Sequence, residues 1–107
     1  MWIWTLDDRL INADLVESIE LLEVYPENAD SAQLEVGALE PEAYELVAVM
    51  ASGQETLLYD TEDGEAAYQA YEALAALVAR GTFLDGTTPT KPISVFELVG
   101  STRGPQN

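Results

Sequence analysis

Between Arg9 and Arg80 the chain carries an acidic side chain every few residues and no lysine or arginine at all. The densest uninterrupted tract is Glu17, Glu20, Glu23, Glu27, Asp30, Glu35, Glu40 and Glu42. Carboxylates can hold a hard cation, act as general acid and base, or accept hydrogen bonds from a cationic partner. The rest of the composition chooses among these. Cysteine and histidine are both absent, which removes disulfides, thiolate metal sites and the commonest general base and transition-metal ligand. A nucleophile–histidine relay is therefore unavailable, and Lys91, the single lysine, sits between Pro89 and Pro92 in an expected loop. Asp60-Thr-Glu-Asp-Gly-Glu65 has the composition of a calcium loop. Its register fails: with Gly64 at the glycine position, the first ligand falls on Tyr59 and the bidentate one on Ala70. No glycine-rich phosphate cradle is present. Among so many acids close carboxylate pairs arise by chance, so a pair alone does not argue for glycoside hydrolysis. The expectation is a protein that is not an enzyme and uses no cofactor and no metal.

Charge is what remains. The formal net charge is −16 over 107 residues, from 20 acids and 4 bases. A surface of that sign disfavours direct contact with nucleic acid or an anionic membrane and favours a basic protein partner. A globule of this length has an expected radius of gyration of about 13 Å and a span of roughly 30–35 Å. Duplex DNA places on the order of 20 phosphates along that span. A folded surface approaching that density can enter a basic groove built for DNA or RNA and release the same counterions. The sharpest expectation is thus a non-catalytic acidic binding module. It would act as an inhibitor that mimics nucleic acid, of the anti-CRISPR or anti-restriction type, with the eight acids above as its partner-binding surface. The competing readings are an acidic scaffold or oligomerisation protein, with a homodimer formed through an alanine-rich helix face, and a housekeeping protein adapted to high salt.

The elements that must position these acids are legible in part. Trp2-Ile3-Trp4-Thr5 reads as a short strand, Asp7-Asp8 as a turn, and Arg9–Asn12 as the returning strand of a hairpin. At least one of the two indoles is expected to anchor the core. From Ala13 to Tyr25 helical spacing of Leu15, Ile19 and Leu22 competes with β-branched content, and a turn at Ala13–Leu15 followed by a strand from Val16 is favoured. Residues 26–42 form an acidic loop, with a brief strand at Leu34–Val36. Tyr44–Ala51 and Glu55–Tyr59 are strands around Ser52-Gly53, and a helix runs from an N-cap at Thr61 to Arg80, stopped by Gly81. Its inner stripe is Ala67, Ala70, Tyr71, Leu74, Leu77 and Val78; the opposite side carries Glu65, Gln69, Glu72 and Ala76. Ile93–Val99 alternates as a last strand, and residues 100–107 make a disordered tail.

The fold class implied is α+β: one antiparallel sheet of four to six strands with a main helix over 61–80 on one face. It forms a single domain over 1–99. No signal peptide pattern and no membrane-length apolar run occur, so the expected location is cytoplasmic. The order Arg9-Leu-Ile-Asn12, Val16-Glu-Ser-Ile19, Glu45-Leu-Val-Ala-Val49 with Ser52-Gly53, then Asp60-Thr61-Glu62 before an alanine-rich helix resembles small uncharacterised bacterial and phage proteins. These open with a hairpin, continue as an antiparallel sheet and end in a helix. The likeness covers Trp2 to Gly81 and implies a fold without an activity.

Overall fold

The computed structural model describes residues 1–26 and 40–102. The expected loop strand at Leu34–Val36 and the end of the tail lie outside them. The chain opens as a hairpin of β1 (Trp2–Trp4) and β2 (Leu10–Asn12), with Trp2 opposite Asn12, Ile3 opposite Ile11 and Trp4 opposite Leu10. The turn is closed by Thr5, whose N–H donates to the Arg9 carbonyl at 2.7 Å while its hydroxyl oxygen accepts the Arg9 N–H at 2.9 Å. A three-residue strand has one inward position, and Ile3 takes it with no exposed surface. Ile3 is flanked by Ile11 on one side and by a parallel bridge to Ile93 on the other. Both tryptophans consequently point outward, against the expectation that an indole anchors the core.

Asn12 caps a single 3-10 turn at Ala13–Leu15, its side chain accepting the Asp14 N–H at 3.0 Å. The turn delivers the chain into β3 (Val16–Val24), the turn-then-strand reading of the sequence. Then β4 (Ala43–Met50) and β5 (Glu55–Thr61) complete an antiparallel sheet in the order β3-β4-β5. Gly53, at φ 89°, supplies the left-handed residue that the β4–β5 turn needs. Among the described residues there are five strands. They form two sheets, of two and three strands, where the sequence pattern predicts one, and neither sheet reaches the expected four to six.

One face of the three-stranded sheet presents Ile19, Leu21, Leu46, Ala48 and Tyr59 to the core. Across it lies α1 (Gly64–Arg80). Its N-cap is Asp63, which accepts from the N–H groups of Glu65 and Ala66 at 3.0 and 3.4 Å. Thr61 cannot fill that role because it still pairs with Tyr44 in β5; its hydroxyl instead accepts the Asp63 N–H at 3.1 Å. A Cβ on Gly64 would stand 3.0 Å from the Tyr44 hydroxyl, so the smallest residue sits where the helix starts over that ring. Gly81 closes the helix at φ 72°, its N–H reaching the Leu77 carbonyl at 2.9 Å. The burial of α1 is wider than a single stripe. Ala66, Ala73 and Ala76 are buried along with Ala70, Leu74 and Leu77, whereas Tyr71 and Val78 are only half-buried.

The second flank is explained by the chain's end. Ile93 makes its one bridge, and Val95–Thr102 is then a helix, α2, packed against α1. The expected last strand is thereby corrected, and 100–102 belong to this helix. Val95, Leu98 and Val99 fall at i, i+3 and i+4 and are all buried, while Phe96 and Glu97 are exposed. Over so few apolar residues, periods of 2.0 and 3.6 are hard to separate, and packing on α1 selects the helix. The core runs without interruption from Ile3 to Val99, and the α+β class stands.

Candidate functional site

The three-stranded sheet has a second face, turned away from α1. Strand alternation and register place Glu20 and Leu22 of β3, Glu45 and Val47 of β4, and Glu55, Leu57 and Asp60 of β5 on it. Among the described residues no helix lies over this face: α1 covers the other, and α2 meets β5 through Phe96 against Tyr59, an inward residue, at 5.1 Å between ring centroids. Val47, paired across the strands with Glu20 and Leu57, is nevertheless 7% exposed while standing outside the main core.

The acids on this face form a row. Glu45 pairs directly with Asp60, and Glu20 sits one diagonal step away, since its partner is Val47 and the partner of Glu45 is Leu22. Such positions hold Cβ atoms about 5 Å apart when opposite and roughly 7–8 Å on the diagonal. Glu55 adds a fourth carboxylate at the far end of β5. No lysine or arginine occurs on β3, β4 or β5. Arg9 pairs with Asp7 at 3.0 Å and lines a cleft beside Glu55 at the edge of this face, Arg80 ends α1, and Lys91 lies in the loop before Ile93.

A β-bulge makes the row. Between Leu46 and Val47 the β4–β5 register shifts. Had the pairing of Val49 with Glu55 continued without a shift, Tyr59 would oppose Glu45 and Asp60 would oppose Tyr44 on the core side. The extra residue, Leu58, is taken into the core at 1% exposure, and everything after it changes face. Opposed like charges destabilise a sheet pair, so Glu45 and Asp60 stand together at some cost to the fold.

The acids singled out from the sequence are divided by the same strand geometry. Glu20 lies in the row. Glu17 is exposed at the bulge that opens β3, between Val16 and Ser18. Glu23 is on the opposite face, beside Tyr44, and accepts the Tyr25 hydroxyl at 2.9 Å. That hydrogen bond is the main cause holding the Tyr25 phenol above its ordinary pKa of 10.0. Glu40 and Glu42 are exposed just before β4, where the Glu42 N–H donates to the Val24 carbonyl at 2.8 Å. Glu27, Asp30 and Glu35 lie outside the described residues. Sequence reasoning weighted the unbroken tract and so passed over Glu45, Glu55 and Asp60; the turn at Ser52-Gly53 marks β4 and β5 as partners, but the bulge that aligns the acids leaves no sequence signal.

Chemically the row offers acceptors alone. Among the described residues no three acids converge to hold a metal ion, and Asp63 of the calcium-like segment serves as a helix cap. Carboxylates at this spacing suit guanidinium and ammonium groups, which they bind by charge-assisted hydrogen bonds. Among the described residues, no helix is long and apolar enough to cross a membrane. Comparison with known proteins brings no assignment: no family model, curated protein or solved structure matches the chain.

Proposed function

We propose that this protein is a non-catalytic, cytoplasmic binding module that presents the outer face of its three-stranded sheet to a basic protein. Its effect is inhibition of a nucleic-acid-handling partner by occupying the groove meant for DNA or RNA. The observation that carries this reading is the row Glu20, Glu45, Asp60 with Glu55, on strands without a single base. Location on one face matters more than total charge. The longest extent of the molecule is 47 Å and its radius of gyration 15.0 Å, both above the sequence expectation. A duplex of that length holds roughly 28 phosphates, so averaged over the whole molecule −16 falls well short, and mimicry has to be local.

A scaffold reading through the alanine-rich side of α1 has less surface to work with, since Ala73 and Ala76 are buried and Ala75 and Ala79 remain exposed. The test is capture of host proteins at low salt on wild-type protein and on a Glu20→Gln/Glu45→Gln/Asp60→Asn variant, followed by competition with DNA and RNA. A basic nucleic-acid-binding partner held by the wild type, lost by the variant and displaced by nucleic acid supports the proposal. Retention by the variant at equal strength would sink it.

A further inference from the structure

The hairpin leaves both tryptophans about half exposed. Trp2, Trp4 and Leu10 are 49%, 40% and 42% exposed and share its outer side. Phe96, 57% exposed, stands on the first turn of α2. Trp4 and Phe96 line one cleft of about 430 Å³, with the buried side chains of Leu58 and Val95 at its base and Ser94 and Asp8 completing the lining. Indoles left outside a core forgo the burial that aromatics normally contribute, and exposed aromatics are what binding surfaces concentrate.

The electrostatics of the cleft follow from its turn. Asp7 takes the Arg9 guanidinium and the Thr5 hydroxyl. The side chain of Asp8, next to it, has no hydrogen-bond or ion-pair partner among the described residues, and Arg9 pairs with Asp7 instead. An aromatic pair beside an uncompensated carboxylate is complementary to a planar cation. A guanidinium stacks on ring faces and forks onto a carboxylate, whereas an ammonium brings charge without a stacking plane. The geometry points to this cleft as a receptor for an arginine side chain of a basic protein partner. It shares with the reading above the premise of a basic partner, but it depends on none of the sheet-face residues. A second copy of this chain would be a poor occupant, because it would bring together two bodies of charge −16 and supply Asp8 with no counter-charge.

Trp2→Phe leaves Trp4 as the only tryptophan, so its emission reports on the cleft. In that background, short oligoarginine and oligolysine peptides of equal length are titrated at physiological ionic strength. Oligoarginine is expected to shift the Trp4 emission saturably and to bind more tightly than oligolysine. Asp8→Asn and Phe96→Ala should each weaken it by about 2–5-fold. Asparagine tolerates the φ of 63° at this position, so Asp8→Asn tests the charge without disturbing the turn, and circular dichroism checks Phe96→Ala. An unchanged Trp4 emission at saturating peptide overturns the proposal, as does equal binding of the two peptides with Asp8→Asn harmless. The Glu20→Gln/Glu45→Gln/Asp60→Asn variant separates the two sites. If it binds oligoarginine like the wild type while Asp8→Asn binds more weakly, the cleft stands independently of the sheet face, whose own reading is decided by the capture of host proteins. Loss of the Trp4 response in the triple variant overturns the cleft as a separate site.

Discussion

At the scale of single residues, short polar side chains fix where elements begin. Asp63 satisfies two of the N–H groups that a helix start leaves unpaired, and Thr61 in turn accepts the Asp63 N–H. Asp63→Ala should cost about 1 kcal/mol of stability, within the range for lost caps, measured by chemical denaturation. Thr61→Ala, which removes no cap, should cost less. Asp7 offers a test by pH. The Thr5 hydroxyl first, and the Arg9 guanidinium after it, hold the Asp7 carboxyl below its ordinary value of 3.8. A depressed folded-state pKa contributes stability that is present above 3.8 and lost as pH falls below it through the folded value. Carboxyl NMR titration should show an Asp7 midpoint under 3.8, and Thr5→Val should move it upward. An unmoved midpoint would remove Thr5 as the cause.

Whole elements depend on what they pack against. In α2, Leu98 is buried and Glu97 exposed, the distribution of a helix lying on α1. Leu98→Ala should destabilise by about 2–5 kcal/mol, while Glu97→Ala should stay within about 0.5 kcal/mol. Backbone chemical shifts over 95–99 supply the direct check, since helical values are expected where a strand would give the opposite sign. The strands are governed differently. Here the side-chain period of two makes one inserted residue decisive, and the bulge at Leu58 determines that Tyr59 is core and Asp60 surface.

For the molecule as a whole, self-repulsion at a net charge of −16 opposes the compact state. Screening lengths shorten from about 30 Å at 0.01 M salt to about 10 Å at 0.1 M, so the unfolding midpoint of the wild type should rise with ionic strength. Glu20→Gln/Glu45→Gln/Asp60→Asn removes the like charges that the strand register sets opposite and diagonal to one another. Its midpoint at low salt should therefore be unchanged or higher, and its salt dependence flatter. A lower midpoint at low salt would mean that these carboxylates hold the sheet together, contrary to the register.

The residues alone determined much of this protein. Turn residues, caps and hydrophobic periodicity specify the hairpin, the turn at Ala13–Leu15, the strands β3 to β5 and the body of α1, because each is a local preference. Composition alone also sets the charge and excludes histidine and thiol chemistry. Tertiary structure decided the rest. Packing on α1 made residues 95–99 a helix; room for one inward side chain gave the β1 core position to Ile3 and sent both tryptophans to the surface. Register across β4 and β5, with its one bulge, gathered Glu20, Glu45 and Asp60 on a face while Glu23 went to the other. Those outcomes rest on contacts between residues far apart in the chain, and a linear pattern of charges does not encode which of them will share a face.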